Sequence, residues 1–326
     1  MRYLVTGAAG FVGSHLCAAL LKRNGTVWAL DDLSKGRPER LAPLGRNLRF
    51  HFLQGSIAQR LDALAEIIET VDVIYHLAAV VGVKNYVEDP VRVVEVNVCE
   101  TLALMKLAWS HGKKVVFTST SEVYGKNNEL PFTEDADRVY GPAGTDRWCY
   151  AVAKSAAEHI CLGYARRGLP VVILRYFNVY GPGADSSEYG GVVSRFISQA
   201  LADQPLTVHG DGNQTRSFTY INDIVRGTIA AGKRVEAEGK IFNLGSNEEI
   251  SILQLARLIL QLTGKKGKII FQPYSDFYGP HYEDMRRRVP DTSAAERCLD
   301  FKARTPLREG LMKTLEWYRI RIGGGF

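Results

Sequence analysis

Three glycines spaced by three, Gly7-x-x-Gly10-x-x-Gly13, follow directly on the apolar run Tyr3-Leu4-Val5-Thr6 and open a helical pattern near Phe11. A strand that turns on glycine into a helix lets the backbone approach a pyrophosphate, and the helix N-terminus attracts its negative charge. Asp31 ends the next apolar run, 27–30, about 20 residues on, where a carboxylate holds both hydroxyls of an adenosine ribose. That carboxylate repels a 2′-phosphate, so NAD is expected rather than NADP. Lys35 fits either a contact to such a phosphate or a solvated loop.

Short β-branched runs then alternate with amphipathic segments, the rhythm of a parallel sheet with crossover helices. Strands are expected at 3–6, 27–30, 48–53, 73–76, 114–118 and 171–175, and helices starting near Phe11, Ile57, Val91 and Trp148. Strands this apolar should be buried on both faces. After about Tyr180 the rhythm loosens into a loop, a helix over 192–202, a strand over 217–221 and a helix over 224–231. A strand at 241–244, returning to the main sheet, is followed by a helix at 251–262 with Ser251 at its N-cap, a strand at 269–271 and a last helix over 306–319. The reading is α/β: a doubly wound parallel Rossmann-type sheet with a smaller, discontinuous C-terminal substrate-binding lobe. The NAD-binding domain is expected over 1–180 plus about 217–246, and the lobe over about 181–216 and 247–326.

Of the 326 residues 46% are hydrophobic and 23% charged, an ordinary soluble balance. The chain enters a strand at once, unlike a signal peptide, and no apolar stretch approaches the roughly 20 residues that span a bilayer. Five scattered cysteines without a CxxC spacing argue against a disulfide framework and a zinc site and for a reducing cytoplasm. The net charge of +6 is spread along the chain apart from Lys265-Lys266-Gly267-Lys268 and Arg286-Arg287-Arg288. It suits pyrophosphate-bearing ligands better than nucleic acid, for which no binding motif is present.

Tyr150 and Lys154, four residues apart, share one helix face. An ammonium close to a phenol, with a cationic nicotinamide nearby, lowers its pKa, and the phenolate takes a proton from an alcohol as hydride leaves the same carbon. Thr120, Ser121 and Glu122, at the end of the fifth strand, supply groups to orient a sugar hydroxyl. His76-Leu77-Ala78-Ala79 closes the fourth strand with small residues over which a cofactor can lie. Lys84 and Asn97 fit contacts to cofactor or sugar, or surface and capping roles, equally well.

Together with Arg175-Tyr176-Phe177-Asn178-Val179-Tyr180-Gly181-Pro182, these motifs resemble the extended short-chain dehydrogenase/reductase superfamily, and within it the nucleotide-sugar 4-epimerases, 4,6-dehydratases and UDP-glucuronate decarboxylases. The resemblance implies bound NAD, a nucleotide-diphosphate sugar (UDP-sugar favoured), a 4-keto intermediate and a homodimer. It implies cofactor contacts from Gly7, Gly10, Phe11, Val12, Gly13, Asp31, Asp32, Lys35, Leu77, Ala78, Ala79, Asn97, Thr118, Tyr150, Lys154 and Tyr176. Substrate contacts are expected from Lys84, Ser121, Asn178, Val192, Arg216 and Arg288, with Arg216 meeting the diphosphate. Ser119-Thr120-Ser121-Glu122, Arg147-Trp148-Cys149-Tyr150 and the 278–290 segment are similar to the decarboxylases, where an arginine matching Arg288 is catalytic. The catalytic set is then Thr120, Glu122, Tyr150, Lys154 and Arg288. The chain departs from the decarboxylases at Gly183, where an arginine is usual, and from the family at Ser56, where an aspartate is. Decarboxylation of UDP-glucuronate is the leading expectation, ahead of 4-epimerisation, 4,6-dehydration and a non-catalytic NAD sensor.

Overall fold

The computed structural model describes residues 1–187, 190–274, 276 and 284–323, with the side chains of Val83, Lys84, Val87 and Ile322 outside that description. Six parallel strands succeed one another in the first half: β1 (Arg2–Thr6), β2 (Thr26–Asp31), β3 (Phe50–Gln54), β4 (Val73–His76), β5 (Lys114–Thr120) and β6 (Val171–Tyr176). They lie in the order β3-β2-β1-β4-β5-β6, and the strand Ile241–Leu244 returns to pair in parallel with β6 as the seventh. The expected return of the chain to the main sheet is therefore observed.

Alternation along the strands feeds two cores. Tyr3, Val5, Tyr75, Val116 and Val172 face α1 (Phe11–Lys22), while Leu4, Ile74, Val115, Phe117 and Val171 face the opposite layer. That layer contains α2 (Leu61–Thr70), α3 (Val83–Glu88), α4 (Pro90–Val94), α5 (Thr101–Ser110) and α6 (Arg147–Ala165), of which α2, α5 and α6 bury side chains against the sheet. Two-sided burial fails at β3, the sheet edge, where Phe52 is exposed. The helix expected from Ile57 starts as a single tight turn and becomes α-helical only at Leu61.

The order reverses at β1: the chain builds outward through β2 and β3, then crosses back to place β4 on the other side. Connections leave the C-terminal ends of β1 and β4 in opposite directions, and the crevice between them is the usual ligand position in such sheets.

The second lobe holds α7 (Val192–Leu201) and α9 (Ile252–Thr263), the antiparallel pair Thr215–Ser217 with Glu249–Ser251, and the parallel pair Leu206–His209 with Ile269–Gln272. The strand expected over 217–221 is split: Phe218 separates Thr215–Ser217 from Thr219–Tyr220, which pairs instead with Val179–Tyr180. α8 (Ile221–Lys233) follows and packs on α1. Ser251 caps α9 in a reciprocal capping box with Gln254.

One buried ion pair fixes α6 against the sheet. Glu158 on α6, fully buried, accepts from Arg175 Nε at 3.0 Å and Nη2 at 2.8 Å, and Arg138 also reaches it. Arg175 further donates to the Tyr124 hydroxyl and the Glu134 carbonyl. Removing one partner strands the other charge away from water. Arg175→Met is expected to lower unfolding free energy in urea by about 3 kcal/mol or more; a loss under about 1 kcal/mol would contradict this role.

Candidate active site

The crevice at the strand ends is a cleft of about 920 Å³. On one wall Gly7 takes φ +68°, and a Cβ there would stand 2.7 Å from Ala78 N. A Cβ on Gly13 would stand 2.1 Å from the Gly7 carbonyl. Any larger residue would therefore push the turn off β4 and close the approach to the N-terminus of α1, whose first turn carries no acidic residue. Asp31 is buried and bound through both oxygens, accepting from Ala9 N and Leu33 N at 2.8 Å each. Burial raises its pKa and these two bonds oppose the rise. The glycine cradle, the helix end and this carboxylate at the cleft wall fit a dinucleotide with a free ribose diol.

His76, at the end of β4, is a structural pin. Thr101 Oγ1 donates to the Asn97 carbonyl, so it accepts from His76 Nε2, leaving Nδ1 to accept from Thr6 Oγ1 at 2.8 Å. Thr6 Oγ1 in turn accepts from Ala78 N, which holds the small-residue turn open. Burial, then Lys154, lowers the His76 pKa to about 3, so the ring stays neutral.

At the reacting end Tyr150 is buried, hydrogen-bonded to Thr120 and stacked on Tyr86 with centroids 5.6 Å apart. The expected lowering of the phenol pKa draws on the Lys154 ammonium and a nicotinamide cation together; the protein's own groups act the other way. Burial and then Glu122 raise the Tyr150 pKa, against smaller lowering by Thr120 and Arg288. Lys154 Nζ lies 4.0 Å over the Phe117 ring, and burial lowers its own pKa to about 8.

Glu122 lies in the short helical turn Ser121–Tyr124, and its N–H donates to the Thr120 hydroxyl that caps the turn. Its carboxylate meets Arg288 Nη1 at 2.8 Å and Arg147 Nη2 at 3.0 Å. Arg147 continues to Asp284 at 3.4 Å, and Asp284 to Arg216 at 2.9 Å and to the Tyr274 hydroxyl at 2.7 Å. Burial works against ionisation of Glu122, but Arg147 and Arg288 outweigh it and its pKa falls. Arg288, also bonded to Ser121 Oγ, is buried, and burial lowers its pKa. Among the described residues, three arginines against two carboxylates leave this row one positive charge in excess. A second cavity of about 490 Å³, lined by Asn178, Val192, Arg216 and Arg288 among others, adjoins this row.

Phe11, Val12, Asp32, Lys35, Leu77, Ala78, Ala79, Thr118 and Tyr176 line the first cleft with the glycines, and Ser121 and Asn178 lie where it meets the catalytic strand end. Asn97 is not among the residues lining the cleft: both ends of its carboxamide close on the backbone of Val80, at 2.9 and 3.0 Å, so it shapes the loop, the second of its two expected roles. It sits in a π-helical turn, Glu95–Glu100, an irregularity the sequence pattern does not announce. The Lys84 side chain and residues 278–283 lie outside the described residues. Arg147, Asp284 and Tyr86 were not expected as site residues. Arg147 precedes Tyr150 by three positions, a helix-face spacing that carried the signal.

The model of the NAD dependent epimerase/dehydratase family matches residues 3–245, and the chain belongs to that family. It is 42% identical over 98% of its length to UDP-N-acetyl-alpha-D-glucosaminuronate decarboxylase of Bacillus cytotoxicus, 98% of which is covered. UDP-glucuronic acid decarboxylase 1 of Arabidopsis thaliana is 38% identical over 99% of this chain and 71% of that protein. The crystal structure of UDP-glucuronic acid 4-epimerase from Bacillus cereus in complex with UDP-glucuronic acid and NAD superposes with a TM-score of 0.87 at 34% identity, over 98% and 99% of the two chains. Among the described residues no helix is long and apolar enough to cross a membrane.

The depressed Lys154 pKa has a stability consequence. Charged Lys154 is penalised in the fold in full below pH 8, and the penalty is relieved as pH rises through 8 toward 10.5, where the unfolded lysine titrates. Lys154→Met should therefore be more heat-stable than wild type at pH 7, by on the order of 2 kcal/mol, with the gain shrinking by pH 10. Calorimetry across that range checks the sign; a gain that grows with pH would contradict the assignment.

Proposed function

We propose that this enzyme decarboxylates a UDP-linked hexuronic acid through a 4-keto intermediate. The observation that carries the reading is Arg288, buried against Glu122 and Ser121 beside Tyr150. A buried cation at the reacting end suits a substrate that brings a carboxylate, and the surplus positive charge of the arginine row suits both that group and a diphosphate. The relatives named for uronate decarboxylation, and the uronate-bound epimerase, support the same substrate class.

NAD, when bound, supplies the hydride acceptor and a ring cation near the phenol. Tyr150 takes the proton of the C4 hydroxyl, with Thr120 orienting it. The resulting β-keto acid loses carbon dioxide: the C5–C6 bond breaks, and its electron pair passes to the C4 oxygen as an enolate. Arg288 and the protonated Tyr150 stabilise that charge. C5 then takes a proton from water, or from Glu122 after that carboxylate has itself taken one up from solvent. In the unliganded protein two arginines hold Glu122 ionised; a uronate that draws Arg288 away weakens this hold and makes Glu122 a better proton donor.

The nucleotide belongs, on this reading, to the lobe of 181–216 and 247–326, with Asn178, Val192 and Arg216 at its cavity. A homodimer is part of the reading, supported by exposed Val91, Val94 and Val152 on the adjoining helices α4 and α6. So is a reducing, cytoplasmic setting.

Incubation with NAD and UDP-glucuronate, and separately with its 2-acetamido counterpart, followed by mass analysis, tests the proposal. One of the two should yield a product lighter by carbon dioxide; a product of unchanged mass would favour 4-epimerisation. Tyr150→Phe is expected to lower turnover by about 10²–10⁴-fold, and Arg288→Gln by about 10²–10³-fold.

A further inference from the structure

Arg40, in the loop after β2, lies on the cleft wall and was not among the expected site residues. Its Nη1 donates to the Ala9 carbonyl at 3.2 Å and its Nη2 to the Gly183 carbonyl at 2.7 Å. Ala9 belongs to the glycine turn: its carbonyl also accepts from Arg37 N, and its N–H donates to Asp31. Gly183 belongs to the loop that follows Val179–Tyr180, on the other side of the cleft. One guanidinium thus joins the phosphate-facing turn to the substrate lobe. Arg37 makes a second link across the same gap, to Asp185 at 3.2 Å, though both partners of that pair are largely exposed.

The electrostatic position of Arg40 is unusual. It is half-buried, and burial lowers its pKa. Yet no described carboxylate lies within ion-pair distance; Asp185 and Asp31 act on it only from further away. Two of its five N–H groups are bonded, both to neutral carbonyls, so three remain for another acceptor. A half-buried cation without a contacting counter-ion, beside the N-terminus of α1, is matched by a phosphate anion.

We propose that Arg40 is a cofactor-retaining residue. Its free donors and charge serve the pyrophosphate of the dinucleotide, while its bond to Gly183 ties the 181–185 loop across the cleft and slows cofactor escape. Gly183 takes φ +83°, a conformation that side chains rarely adopt, and offers its carbonyl to a cation that arrives from the opposite wall. This rests on the reading of the cleft as the NAD site.

Ligand binding to stripped protein, measured by calorimetry with NAD, ADP-ribose and adenosine, separates the possibilities. Arg40→Ala should bind NAD and ADP-ribose at least about 10-fold more weakly than wild type, with a smaller salt dependence and unchanged adenosine affinity. Stopped-flow release of NAD should be faster by a similar factor. Arg40→Lys restores the charge but not the two-carbonyl bridge, so its affinity should recover more than its release rate. Equal losses for adenosine and ADP-ribose would reduce Arg40 to a structural role, and unchanged NAD affinity and release in Arg40→Ala would overturn the proposal outright. Should Arg40→Ala fail to fold, Arg40→Gln keeps a donor for Gly183 without the charge and gives the same readouts. Wild-type protein that takes up no NAD would instead sink the cofactor reading itself, and this inference with it.

Discussion

A carboxylate largely shielded from water must be neutralised where it sits, and Glu122, with 18% of its side chain exposed, stands where the two cavities meet. Its two arginines come from different parts of the chain: Arg147 opens α6, and Arg288 arrives from the C-terminal segment. Asp284 extends the same demand to Arg216 on the lobe's antiparallel pair. Satisfying one charge therefore brings together the end of β5, the helix of Tyr150 and the antiparallel pair that carries Arg216. Breaking any member leaves its neighbours unpaired in a low-dielectric site, which is costly. The row is thus both the seam of the fold and the electrostatic floor of the reacting end.

The Arg175–Glu158 pair does for orientation what this row does for charge. It anchors α6 one turn beyond Lys154 and two beyond Tyr150, so the phenol and ammonium face the cleft from a helix that cannot easily rotate. Lys154 is then buried at an energetic cost, as its lowered pKa records. A site that keeps a charged lysine in an apolar surround stores destabilisation where the chemistry needs it.

The cofactor half was the more legible because backbone geometry writes itself into residue type. Only glycine fits at Gly7 and Gly13, and Asp31 must end β2 to reach the cleft, so spacing alone located them. The parallel sheet followed from alternating β and α segments, and even the late return of Ile241–Leu244 was readable as an isolated apolar run. Leu206–His209 was not, since four residues beside a loosely patterned loop carry no period of their own. Asn97 left two readings open because a buried carboxamide satisfied by backbone and one offered to a ligand look alike in sequence. The Tyr150–Lys154 spacing fixed the helix face but not the electrostatics: burial and Glu122, distant in sequence, govern the phenol. Asp284 and Arg40 act through contacts across 68 and 143 residues, which no local pattern encodes, whereas Arg147 shares a helix-face spacing with Tyr150.

Turnover of the UDP-hexuronate in D₂O, followed by proton NMR at C5 of the sugar, bears most directly on a keto acid whose lost carboxylate is replaced by a proton. The account predicts a pentose-level sugar carrying one solvent-derived deuterium at C5, formed together with carbon dioxide. A hexuronate that keeps its C5 hydrogen and its carboxylate, inverted only at C4, would contradict it.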